Sequence, residues 1–184
     1  MKYIGPKISC KELNKEYSII IAAEGERWEI ALLWIWTALW LGIGGYFASY
    51  LFLVEGLERD FKLFVSVFLA FWAFYFFKIL GMAMWRTKGY ESILFSEDKI
   101  TMSQFNGFRF KRQSFFVRNI EQFEKLVIKD KSLLNAYYSG FWVKGIDFLS
   151  FTHQKKEIRF AKQIDNDSAD KLFKLMRKLM STYK

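Results

Sequence analysis

Two long apolar runs and then a change of period organise this chain. Ile30 to Val54 carries no charge, and at helical rise it would reach roughly 37 Å, enough to cross a hydrocarbon core of about 30 Å with some tilt. It begins too late, and runs too long, for a cleaved signal peptide. After the polar stretch Glu55–Lys62, Leu63 to Trp85 is again apolar apart from Lys78. A connection this short predicts a helical hairpin. From Glu91 the period becomes two. Ser92–Phe95 and Ile100–Phe105 flank a turn at Ser96–Lys99, and Asn106-Gly107 is a favourable two-residue hairpin turn, after which Phe108-Arg109-Phe110-Lys111 alternates apolar with basic. Further strands are expected at Gln122–Ile128, Phe141–Lys144, Phe148–Thr152 and Glu157–Phe160, the last two joined by a turn at His153–Lys156. Asp165-Asn166-Asp167-Ser168 offers N-caps for a helix whose apolar stripe is Leu172, Leu175, Met176 and Leu179. The expected organisation is an N-terminal arm over residues 1–27, a membrane hairpin over 28–86 and a small, mainly β cytoplasmic domain over 87–184 closed by one C-terminal helix. Tyr17–Ala22 is either a further strand of that domain or a segment lying at the interface before the first span.

Periodicity within the spans picks out faces. Ala38, Gly42, Gly45 and Ser49 line one side of the first helix and Ser66, Ala70 and Ala73 one side of the second. Small residues let backbones approach closely in lipid, so these faces are expected to meet. Elsewhere the second span is dense in aromatics, with Phe64, Phe68, Phe71, Trp72 and Tyr75 forming a broad surface that either faces lipid or is gripped by a partner protein. Lys78 lies about 12 Å from the cytoplasmic end, near enough for its stem to snorkel to the headgroups.

Charge gives the orientation. The chain has 28 Lys plus Arg against 19 Asp plus Glu, and the whole formal excess of +9 falls in residues 86–184. Basic residues are retained on the cytoplasmic side, which is expected to place both termini there. Trp28, Trp34, Trp36 and Trp85 are then expected near the inner interface. With one cysteine and one histidine in 184 residues, an internal disulfide and a His/Cys zinc site are excluded. The spans hold no histidine for haem. Neither a phosphate-binding glycine loop nor a nucleophile elbow is present, so no enzymatic activity, cofactor, metal or small-molecule substrate is expected. Cys10 reads as a small structural residue and His153 as an exposed turn residue. The acidic residues Glu55, Glu58 and Asp60 read as a solvated outer loop. Diffuse charge without a reading element argues against nucleic acid. The site-like feature is basic: Arg109, Lys111 and Arg112, together with Lys78, Arg86 and Lys88, are expected to form one surface facing the anionic inner leaflet.

The order of these elements resembles a known group. A paired span, then Lys88-Gly89-Tyr90-Glu91-Ser92-Ile93-Leu94-Phe95 opening a meander, then Leu149-Ser150-Phe151-Thr152 and Glu157-Ile158-Arg159-Phe160 before an acidic-capped helix, is similar to bacterial two-span membrane proteins with a pleckstrin-homology-like (YcxB-like) domain. In layout it also resembles, more distantly, photosystem I assembly factors. The resemblance covers about residues 7–182 and implies a pleckstrin-homology-like sheet or barrel, with the N-terminal strand joining it. It also implies a non-enzymatic scaffolding or assembly role in a larger inner-membrane complex. The alternative it leaves is a membrane-anchored module that contacts anionic lipid.

Overall fold

The computed structural model describes residues 2–13, 16–23, 25–54, 56–126, 145 and 147–183. Three short strands come first, β1 (Lys2–Gly5), β2 (Ile8–Leu13) and β3 (Glu16–Ala22), followed by the helices α1 (Arg27–Leu53) and α2 (Arg59–Lys88). The chain then continues as β4 (Tyr90–Ser96), β5 (Lys99–Phe105) and β6 (Phe110–Phe116). These six strands form one antiparallel sheet in sequential order. The segment expected as a separate arm over residues 1–27 therefore supplies three strands, and Tyr17–Ala22 is part of β3. The helical hairpin is inserted between two strands that are direct neighbours. Ala22 faces Tyr90 in the ladder, and Ala23 N–H donates to Gly89 O at 3.0 Å beyond it.

A 3-10 turn at Val117–Asn119 leads into a second, three-stranded antiparallel sheet of β7 (Ile120–Lys125), β8 (Asp147–His153) and β9 (Lys156–Lys162). His153 pairs with Lys156 across a two-residue turn in which Gln154 and Lys155 both take positive φ, as a tight hairpin with native twist requires. His153 is half-buried rather than exposed, its ring 5.1 Å from that of Phe115. The strand expected at Phe141–Lys144 lies outside the described residues. The last element, α3 (Asn166–Thr182), starts where the Asp165 carboxylate accepts the Ser168 N–H at 2.9 Å.

Period two in the strands and 3.6 in α3 converge on one core. Ile19, Ile21, Ile93, Phe95 and Ile100 from the large sheet meet Leu149, Phe151 and Phe160 from the small one, and Leu172, Met176 and Leu179 from α3 cover them. Cys10 is buried in this core. Burial, with Cys10 next to it, pushes the Tyr17 hydroxyl up to about 12.

Both long helices are apolar enough to cross a membrane, and only 17% and 6% of their most apolar windows are buried inside the protein, so they are not core helices of the sheet domain. They pack against each other, though not through the expected small residues. Ala38, Gly42 and Gly45 are exposed, and a Cβ added at Gly42 or Gly45 would meet nothing within 4 Å. Ser49 is half-buried and Ser66 and Ala70 are exposed, leaving Ala73 partly in the seam. The contact runs instead along Leu33, Thr37 and Gly44 on α1, with Val65, Phe68 and Trp72 on α2. Residues 33, 37, 40, 44 and 47 obey the same helical period as 38, 42, 45 and 49. The first stripe wins because Gly44 forms a socket for the Trp72 indole, and a large ring in a socket makes more dispersion contacts than two small side chains meeting.

Candidate membrane-proximal interface

The aromatic residues of α2 divide between two roles. Phe68 and Trp72, expected to face a partner, belong to the helix seam: Phe68 lies 4.7 Å from the Phe47 ring, and Trp72 fills the Gly44 socket. Phe64, Phe71 and Tyr75 do face outward, joined by Phe74 and Phe77. Lys78 is on this outer side, with its ammonium 4.6 Å above the Phe74 ring, where the face of the aromatic quadrupole attracts a cation.

At the sheet end of the hairpin, the last turn of α2 joins α1 to the sheet. Trp85 is 1% exposed, so it is a packing residue of this junction and not an interfacial anchor. Arg86, expected on the basic surface, is also buried, its Nη1 3.9 Å from Glu29 Oε2 of α1. An unpaired guanidinium would not tolerate that burial. Trp34 Nε1 donates to Thr87 Oγ1 at 3.1 Å, a second tie between the helices. Trp28, Trp34 and Trp36 remain exposed.

The basic hairpin is rearranged by its loop. Asn106–Arg109 forms a four-residue connection, not a two-residue turn: Asn106 Oδ1 accepts the Phe108 and Arg109 N–H groups, and β6 begins at Phe110. Gly107, at φ +89°, lies so close to α2 that an added Cβ would sit 2.7 Å from Met84 Cβ and 3.0 Å from its carbonyl oxygen. This close approach seats the loop on the helix.

Strand alternation then separates the two cations that follow. Lys111 faces Gln104 and Glu91 in the ladder, on the inner side of the sheet, whereas Arg112 lies in the row Ile20, Ser92, Ser103 and Arg112 on the outer side. The expected single basic surface is therefore divided: Lys88 and Arg112 line one groove and Arg109 is exposed in the loop before β6, whereas Arg86 is buried, Lys111 is on the other side of the sheet and Lys78 lies over Phe74 on α2. Lys111 lines a polar cleft between the sheets with Arg159 and Lys162. Buried Glu91 anchors that cleft, accepting the Ala161 N–H at 2.7 Å. Burial pushes the Glu91 carboxyl up, against the pull of Lys162 and the Ala161 N–H. Asp147, 3.8 Å from Lys162, is raised for the same first reason.

Among the described residues, no group of three or more His, Cys, Asp and Glu side chains is placed to hold a metal ion. Neither a protein-family model nor a curated protein matches the chain.

Proposed function

We propose that the protein is a non-enzymatic accessory or assembly subunit of a larger inner-membrane complex, with both termini in the cytoplasm. The observation that carries this reading is the outward face of α2, where Phe64, Phe71, Phe74, Tyr75 and Phe77 stand exposed on a rigid helix. Rigid aromatic side chains supply large contact area at little entropic cost, which is why they serve as anchors at interfaces. The pleckstrin-homology-like order of strands and closing helix fits a scaffold that holds a cytoplasmic module beside its host. Purification in mild detergent followed by mass spectrometry should recover a defined larger assembly. Recovery of the monomer alone, where known membrane complexes survive, would overturn the reading.

A second reading is favoured by the basic loop seated on α2. Lys88, Arg109 and Arg112 gather near the membrane exit, so the domain is an anionic-lipid-contacting module held against the inner leaflet. In vesicles, replacing all three by alanine should release the cytoplasmic domain from the bilayer surface, read as faster amide exchange at β6. Unchanged exchange would remove this reading.

A further inference from the structure

The outer face of the large sheet meets the end of α2 in an open groove of about 540 Å³, within the range of small-ligand sites. Two cross-strand rows make its floor. Ala22, Tyr90, Phe105 and Phe110 form the row nearest the spans, and Ile20, Ser92, Ser103 and Arg112 form the row two residues further on. Thr87 and Lys88 from α2 form the wall. The first row is mostly apolar, while the second ends in a guanidinium among hydroxyls. Arg112 Nε donates to Ser103 Oγ at 3.4 Å, and its guanidinium lies 5.9 Å from the Phe110 ring. These contacts steady the side chain and leave both Nη groups for a ligand. Among the described residues, no carboxylate pairs with Lys88 or Arg112.

We propose that this groove is a phospholipid headgroup site, in which Lys88 and Arg112 hold the phosphodiester of a net-anionic lipid and the apolar row receives its glycerol and the root of its acyl chains. The inference rests on the second reading above, contact with an anionic leaflet. Distance supports it: two residues of strand place Arg112 roughly 7 Å beyond the end of the ladder at α2. The headgroup layer of each leaflet is about 5–8 Å deep, so a cation at that height meets phosphate. Charge supports it too, because among the described residues no carboxylate competes for either cation, and a guanidinium fork matches two phosphate oxygens. Lys88 also lies in the last turn of α2, where its charge offsets the negative helix end that would otherwise repel an anion.

The test is native mass spectrometry of the full chain from micelles doped with phosphatidylglycerol or phosphatidylcholine. Wild type should retain one phosphatidylglycerol in preference to phosphatidylcholine. Lys88→Ala and Arg112→Ala should each lower its apparent affinity about fivefold, Arg112→Lys should recover part of the loss, and Lys99→Ala, outside the groove and the basic surface, should change nothing. Millimolar inorganic phosphate should not displace the lipid; displacement would mean that the groove takes free phosphate and would overturn the lipid assignment. Loss on Arg109→Ala with Arg112→Ala unaffected would overturn this site while keeping leaflet contact. Equal retention of both lipids by every variant would overturn the site and the reading beneath it.

Discussion

Trp40 and Trp72 exchange hydrogen bonds across the helix seam: Trp72 Nε1 donates to Trp40 O at 2.8 Å, and Trp40 Nε1 donates to Trp72 O at 3.4 Å. The exchange fixes the axial register of the hairpin, and Gly44 makes room for it. Gly44→Leu should therefore cost about 1–3 kcal/mol by overpacking against the Trp72 ring, whereas Gly42→Leu and Gly45→Leu, which point into open space, should be close to neutral. Thermal unfolding in micelles, followed by indole fluorescence, separates the three. Equal loss at all three glycines would mean that the outward stripe is also packed.

Glu29 and Arg86 make a paired prediction. Glu29→Ala leaves a buried guanidinium without its carboxylate and should destabilise the junction, while the double variant Glu29→Leu with Arg86→Met should recover much of the loss, since an apolar pair avoids desolvating charge. The comparison is the melting temperature of the single and the double variant in the same micelles.

Acid and base should act in opposite directions on the two ends of the sheet domain. Burial holds the Glu91 carboxyl above its ordinary 4.5, so the folded state binds that proton more tightly than the unfolded one. Its contribution is fully present below that value and is lost as pH rises through the raised folded pKa. Glu91→Gln should flatten this decline, which a series of melts from acid to neutral pH would detect.

Asp165 has the opposite sign. Its bonds from Ser168 hold the carboxyl below its ordinary 3.8, so the stabilisation exists above that value and disappears as pH falls through the lowered one. Removing the cap with Asp165→Ala should cost about 1 kcal/mol, with Asp165→Asn close to wild type. Amide exchange in the first turn of α3 reads the effect locally.

Topology is tested by accessibility. A cysteine at exposed Glu58, in the loop between the spans, should react with an impermeant thiol reagent in intact cells, and one at exposed Lys174 only after lysis. Native Cys10 is buried and should stay silent in both. The reverse pattern would overturn the cytoplasmic placement of both termini.

Local features were the legible ones. The spans follow from apolar run length and α3 from its cap and stripe, because both depend on residues within a few turns of one another. The register of β4 with β5 follows in the same way from the turn at Ser96–Lys99. The pairing of β3 with β4 was legible only as an option, since nothing near Tyr17 reveals a partner beyond two membrane spans. In the spans, two stripes with one period competed, and only the fit of Trp72 to Gly44 decides between them. The separation of Lys111 from Arg112 did have a signal. Alternation puts adjacent residues on opposite faces, and the expectation of one basic surface grouped them by charge alone.

Because α1 and α2 interrupt the sheet between adjacent strands, completion of that sheet must wait until both helices are in place. While residues 23–89 are being made and integrated, β3 presents a bare edge, the ladder that β4 will later occupy. If only one span inserted, β4 would emerge on the far side of the membrane, and the two halves of the sheet could never meet. The finished sheet thus reports that both helices have been placed, because β3 and β4 pair only when the chain returns to the side from which it left.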